Sequence, residues 1–253
     1  MSVNWSEVAR ATAHRPWPAP DRSWVMTMSW LDLLFAHWRV PAEVIASRLP
    51  PGLEVDTFEG EAWVAVVPFW MDNVTGRWLP NVPGLSRFPE LNVRTYVTAI
   101  GEKPGVWFFS LDADQRLAVW GARTFFDLPY VKADMNCRKD DEGWVHYDSR
   151  RTDTRMAAGE FRGRYRGVGE VYRSEPGSLE AWLTERYCLY AADENGRVGR
   201  GEIQHVAWPL RRAEAEIEVN TVADAHGLVF EGEPLLHYVE GIHVVGWTLE
   251  QLG

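Results

Sequence analysis

Along Ala213-Glu214-Ala215-Glu216-Ile217-Glu218-Val219 every second residue is apolar and every intervening one is glutamate. A helix scatters such glutamates around its circumference, whereas a strand, whose side chains alternate between two faces, collects them on one side. Phe161 to Arg166 repeats the pattern, with Arg162, Arg164 and Arg166 opposite Phe161, Gly163 and Tyr165. Three arginines on one face are read first as a solvated strand face. Other strand-like segments are Pro89 to Val97, Val106 to Leu111 and Glu202 to Leu210. Leu53 to Phe58 and Ala62 to Phe69 read as a hairpin about Glu59-Gly60-Glu61, and Tyr130 to Cys137 and Trp144 to Arg150 flank the turn Asp140-Asp141-Glu142-Gly143. Leu235 to Trp247 reads as a final hairpin.

Helical signals are short. Pro41 to Leu49 has proline in its first turn and is stopped by Pro50-Pro51-Gly52. Leu117, Trp120, Gly121 and Thr124 lie at helical spacing before Leu128-Pro129, Ser178 caps a segment carrying Leu179, Trp182 and Leu183, and Asn220 to Gly227 reads as a short helix. Met1 to Asp21 shows no clean period and reads as an arm wrapped over the body. The expectation is a mainly β (α+β) single domain over residues 1–253: an antiparallel sheet or barrel with a few short peripheral helices.

Composition excludes several classes of function. The net charge is −10, so the surface as a whole repels nucleic acid and anionic membranes. The start, Met1-Ser2-Val3-Asn4-Trp5, has no export pattern, and the apolar run from Trp63 to Met71, broken by Pro68, is too short to span a bilayer. Cys137 and Cys188 are spaced as neither a metal knuckle nor a redox pair and suit a reducing, cytoplasmic compartment. No phosphate loop, dinucleotide fingerprint, zinc motif or nucleophile elbow occurs, and His205, His237 and His243 carry no ligand spacing; neither metal nor cofactor is expected.

The strand at Pro89 is different. Glu90, Asn92, Arg94 and Tyr96 share one face, and Leu91, Val93, Thr95 and Val97 the other. A carboxylate, an amide, a guanidinium and a phenol in a row suit a ligand-facing wall, and a salt-bridged outer strand is the other reading open to them. His37, amid Trp30, Leu33, Leu34, Phe35 and Trp38, needs a hydrogen-bond partner wherever it lies; a satisfied core histidine is the first reading and a ligand contact the second.

Five motifs in order carry a resemblance to a known family: Leu49-Pro50-Pro51-Gly52-Leu53, Glu90-x-Asn92-Val93-Arg94-Thr95-Tyr96, Ala122-Arg123 with Leu128-Pro129-Tyr130, Glu185-Arg186-Tyr187 and Trp208-Pro209-Leu210. From about Trp24 to Trp247 the chain resembles the uncharacterised YqjF-like family, itself similar to the acetoacetate decarboxylase-like superfamily. The resemblance implies a β-barrel-like body enclosing a ligand cavity. In the decarboxylases a glutamate lies on a strand that Glu90 resembles, and an arginine and a proline similar to Arg123 and Pro129 precede the lysine that forms a Schiff base. Here Tyr130 follows Pro129, and tyrosine cannot form an imine. Lys132, one of only three lysines, is two residues on and points the same way if the segment is a strand.

Chemistry without an imine is therefore expected. Arg94 or Arg123 would clamp a carboxylate or enolate oxygen, Glu90 would move a proton, and Tyr130 would donate to a developing oxyanion. Asn92, Tyr96, Lys132 and His37 are the further candidates for substrate contact. The expected function is binding of a small, anionic molecule, as a lyase or isomerase of a keto or hydroxy acid. A non-enzymatic carrier or sensor is the alternative, and a homo-oligomer formed through the Trp-rich arm is a further expectation.

Overall fold

The computed structural model describes residues 3–77, 86–99, 101–114 and 127–252. Thirteen strands form one sheet: β1 (Met26–Arg39), β2 (Leu53–Val55), β3 (Trp63–Gly76), β4 (Phe88–Ala99), β5 (Gly105–Ala113), β6 (Tyr130–Lys139), β7 (Val145–Arg151), β8 (Glu160–Tyr172), β9 (Cys188–Ala192), β10 (Val198–Gln204), β11 (Leu210–Asn220), β12 (Leu235–Gly246) and β13 (Glu250–Gln251). Among the described residues the helices are short: α1 (Trp5–Arg10), α2 (Ala42–Ala46), α3 (Leu179–Thr184) and a 3-10 turn at Asp224–His226. None of these is long and apolar enough to cross a membrane.

Neighbours run β13-β10-β9-β5-β6-β7-β8-β11-β12-β1-β3-β4-β2, and β4 also pairs with β5 and β10 with β12. As a result β1, β3, β4, β5, β9, β10 and β12 follow one another in a closed circuit of hydrogen-bonded neighbours. The sheet is mixed rather than purely antiparallel, because β5 runs parallel to both β6 and β9. Two bulges bend the long strands: Asp32 in β1 and Asn73 in β3 take φ of 48° and 52°, and the β1–β3 register shifts beside each.

Alternation decides which way residues face. On β1, Leu34, Ala36 and Trp38 enter one core while Leu33 and Phe35 enter a second; on β3, Val64 and Val66 join the first, and Ala65, Val67 and Phe69 the second. Both strands are thus buried on both faces. The two alternating segments of opposite charge prove to be partners, β8 against β11, with Arg162–Glu218, Arg164–Glu216 and Arg166–Glu214 ion pairs at 3.0, 2.7 and 2.9 Å. That is the solvated strand face expected for the three arginines. Beneath it Tyr165 and Ala215 pair across the ladder, Tyr165 in the first core and Ala215 against it.

Several local expectations are corrected. Phe58 and Glu61 do bridge a tight turn, but β2 pairs with β4 instead of forming a ladder with β3. Leu235–Gly246 is one long strand, held on both sides by β1 and by β10 and β11, with no hairpin turn. The strand expected over Glu202 to Leu210 begins at Val198 and stops at Gln204, where His205 turns its ring into Trp208 and Tyr187. The helix expected about Leu117 to Thr124 lies outside the described residues.

The arm contains α1, whose N-cap Asn4 accepts from Glu7 N, and it packs against its own chain. Arg15 is the anchor: it donates to Ile203 O at 2.6 Å, Gln204 Oε1 at 3.0 Å and Glu202 Oε2 at 2.7 Å.

Candidate functional site

Strand β4 is buried on both faces from Phe88 to Val97. Leu91 and Val93 fill the first core, so the opposite face of β4 looks toward the side where β1 and β3 place Leu33, Val67 and Phe69. There lies a cavity of about 790 Å³, and all seven strands of the closed circuit contribute to its lining. Glu90, Asn92 and Arg94 are on its wall, joined by Tyr130 at the start of β6. The β4 face is therefore a cavity wall and not a salt-bridged outer strand.

Tyr130 donates to Glu90 Oε2 at 2.8 Å, wholly buried. Removal from water pushes the Glu90 carboxyl up to about 8; the Tyr130 hydrogen bond opposes that rise, and the charge of Asp112 adds to it. Burial likewise drives the Tyr130 phenol well above its ordinary value, helped by the charge of Glu90. At neutral pH the pair is thus mostly a protonated carboxyl beside a phenol. The backbone beneath is held by Tyr147, whose hydroxyl donates to Glu90 O at 2.7 Å.

Arg94 is 8% exposed and packs its guanidinium 5.0 Å from the Phe35 ring and 5.9 Å from Tyr96. Its Nε has no hydrogen-bond partner, nor has Asn92 Oδ1, and no described carboxylate forms an ion pair with it. The other charges on the wall are compensated. Arg186 pairs with Asp56 at 2.6 Å, and Glu202 is met by Arg15 at 2.7 Å and also by Lys103. With Glu90 protonated, Arg94 leaves the described wall one uncompensated positive charge.

Two candidates sit behind the wall. Tyr96 and His37 are buried and bond to each other, His37 Nε2 to the Tyr96 hydroxyl at 2.7 Å. Burial, then the charge of Arg94, hold His37 well below its usual range, so it is neutral, and Tyr96 is flanked by Arg94 at 5.9 Å and Arg186 at 4.9 Å. They brace the guanidiniums without lining the cavity. Lys132 is on the same strand as Tyr130 but is drawn outward to Asp114 at 2.7 Å and Asp134 at 3.5 Å, and it is absent from the cavity wall. Arg123 lies outside the described residues.

Sequence reasoning attached no role to Arg186, Trp30, Trp208 or Glu202, all on the wall. Trp30 and Trp208 stack at 5.8 Å, and neither indole N–H has a partner. Arg186 and Trp208 fall within motifs already singled out, which was the available signal. Glu202 becomes visible only once the arm delivers Arg15 to it. No group of acidic, histidine or cysteine side chains among the described residues forms a metal-binding cluster.

Residues 27–243 match the model of the DUF2071 family, described as an uncharacterized conserved protein. The chain is 48% identical over 233 residues to the uncharacterized protein YqjF of Bacillus subtilis strain 168, covering 92% of this chain and 94% of that protein. Among solved structures, an acetoacetate decarboxylase from Legionella pneumophila matches with a TM-score of 0.61, 13% identity and coverage of 94% and 93% of the two chains. An acetoacetate decarboxylase-like enzyme from Sphingomonas wittichii RW1 matches at 0.62, 13% identity and coverage of 95% and 98%. The enduracididine biosynthesis enzyme MppR, in complex with pyruvate, matches at 0.61 and 13% identity over 96% and 94%. Likeness at that identity concerns the fold.

Proposed function

We propose that this chain, which belongs to the DUF2071 family of uncharacterized conserved proteins, binds an organic carboxylate in its strand-lined cavity and transfers a proton on it, as a lyase or isomerase without a Schiff base. The observation that carries this reading is the buried Glu90–Tyr130 pair, 2.8 Å apart, on the same wall as Arg94, which no described carboxylate balances. A carboxyl held at about 8 is close to the working pH, where an acid–base group is both available in the right form and strong enough to act. That an acetoacetate decarboxylase shares this fold, and that the enduracididine biosynthesis enzyme MppR, which also shares it, was solved with pyruvate, supports a keto or hydroxy acid as the ligand.

The residues divide the work by chemistry. Arg94 and the Asn92 amide meet the carboxylate or the enolate oxygen, where a guanidinium in a dry site is worth more than in water. The ionised Glu90 takes a proton from the carbon next to the carbonyl, steadied by the Tyr130 hydroxyl, and the neutral acid returns it at another atom. Tyr130 thus serves Glu90 in the free protein, in place of the direct donation to substrate expected from its position after Pro129. Lys132, engaged with Asp114, takes no part.

A carrier or sensor with the same cavity is the second reading, favoured by the predominance of aliphatic and aromatic side chains on the wall. Proton exchange separates the two. Keto and aromatic acids that raise the melting temperature are incubated in deuterated buffer, and exchange at the carbon beside the carbonyl is followed by NMR. Exchange by the wild type that Glu90→Gln abolishes while retaining binding is the expected result; binding without exchange or turnover leaves the carrier. Borohydride with acetoacetate or pyruvate is expected to trap no adduct, and a trapped lysine sinks the imine-free reading. Assembly as a homo-oligomer belongs to the same proposal and is read from mass in solution with and without residues 1–21.

A further inference from the structure

We infer that the molecule this cavity is built for is an amphipathic monocarboxylate with a long, unbranched apolar tail, its carboxylate at Arg94 and Asn92 and its tail running toward Met26 and Gly76. The inference rests on the carboxylate reading above and adds the class of acid.

The cavity is much larger than a short keto acid requires. At about 790 Å³ it lies in the upper part of the range that encloses drug-sized ligands. Its polar groups are also unevenly placed. Asn92 is opposite Val67 on β3 and Arg94 opposite Ala65, so these two mark one end. At the other end Met26 is registered with Gly76 on β3 and with Gly246 on β12, and Gly246 with Ile203 on β10; all four line the cavity. From Val67 to Gly76 a strand covers about 25–30 Å, a length along which an extended chain can lie.

Past Glu90 the wall is mainly hydrocarbon, its polar side chains there being the uncharged Thr75, Ser86 and Thr248 and the ion-paired Glu202. Met28, Phe69, Met71, Val74, Trp247 and Leu249 lead from the Glu90–Tyr130 pair toward the Met26 end. Glu202, the one acid on that side, is neutralised by Arg15 and Lys103 and so does not repel a tail. Methionine side chains adapt to an irregular chain, and the three here lie on adjacent strands β1 and β3. At the Gly76 end Gly246 keeps the passage clear: a methyl there would lie 3.1 Å from the Met26 side chain. One uncompensated cation at one end of an apolar channel is the complement of a fatty-acid-type ligand.

Calorimetric titration of the full chain with butanoate, octanoate, dodecanoate and hexadecanoate tests this, with dodecanol as the uncharged control. Each added methylene should tighten binding about fourfold until the tail reaches the Met26 end. Arg94→Gln should weaken every acid at least tenfold and leave dodecanol unchanged. Val74→Trp, which fills the far end, should weaken hexadecanoate at least tenfold while butanoate binding stays the same. Affinity independent of chain length, still lost in Arg94→Gln, overturns the long-tail inference and leaves the carboxylate reading standing. Dodecanol binding as tightly as dodecanoate, with Arg94→Gln silent, overturns both. Should Val74→Trp melt far below the wild type, the chain-length series on the wild type decides alone.

Discussion

The Tyr130 hydroxyl lies 2.8 Å from Glu90 Oε2, joining the first residue of β6 to the buried face of β4 on the wall of the cavity. The two strands are not neighbours in the sheet; β5 lies between them. A carboxyl so placed is neutral until about pH 8, whereas in an unfolded chain it ionises near 4.5.

The pH dependence of stability follows from that difference. Between about 4.5 and 8 the folded state holds a proton that the unfolded state has released, so folding grows weaker as pH rises through this window. The loss is about 1.4 kcal/mol per pH unit for this group, and on the order of 3–5 kcal/mol in all, largest above pH 8. Glu90→Gln, which stays neutral, should gain on the wild type by that amount across the window. Urea unfolding of both proteins from pH 5 to 9 measures it, and parallel pH profiles would show that Glu90 is ionised in the fold.

Tyr130→Phe should move the Glu90 titration upward, not downward. The phenol supports the ionised carboxylate, so its loss shifts the midpoint up by roughly one pH unit. Titration of a carbon-labelled Glu90 carboxyl by NMR reads the midpoint directly. An unchanged or lower midpoint means that the hydrogen bond does not favour the anion.

Arg94→Met should leave the free protein as stable as the wild type or more so, by up to about 3 kcal/mol, because it removes a buried cation that no described carboxylate balances. The same change should abolish binding of carboxylates. Thermal unfolding with and without octanoate checks both halves. A strongly destabilised Arg94→Met would place the residue in the framework and not in the site.

The Arg151–Asp112 pair behaves in the opposite way. Its side chains are fully buried, with Nη2 to Oδ1 at 2.8 Å and Nε to Oδ2 at 3.1 Å, on the face of β5 away from Leu111 and the cavity. Arg151→Met alone strands the Asp112 carboxylate and should cost about 3–5 kcal/mol, whereas Arg151→Met with Asp112→Leu should recover most of it. Chemical denaturation of the two variants makes the comparison, and equal losses would mean that packing rather than charge dominates.

Much of this molecule was legible along the chain. The period of two in Ala213 to Val219 and Phe161 to Arg166 marked strands correctly, because alternation is imposed by the backbone whatever the strand pairs with. It left the partners open: nothing local says that the glutamates of β11 meet the arginines of β8, or that β2 pairs with β4 instead of with the neighbouring β3. The polar face Glu90, Asn92, Arg94, Tyr96 was equally plain, but the reach of each side chain was not. Tyr96 shares the face and still ends behind the wall on His37, and Lys132 shares a strand side with Tyr130 and still turns to Asp114. Parity along a strand sets the direction of a side chain; where along the strand the cavity begins and ends is set by the strands opposite. The sequence by itself determined that this chain is β-rich and that Glu90, Asn92 and Arg94 share one face of a strand, and its resemblance to the decarboxylases implied that Tyr130 follows Pro129 where they carry the imine-forming lysine. Only the tertiary structure decided that Glu90 is buried enough to hold its proton to about 8, that Arg94 is left without a counter-charge among the described residues, and that the cavity before them is lined mainly by apolar side chains. Desolvation and charge balance are sums over strands distant in sequence, and they take a value only when the sheet has closed around the cavity.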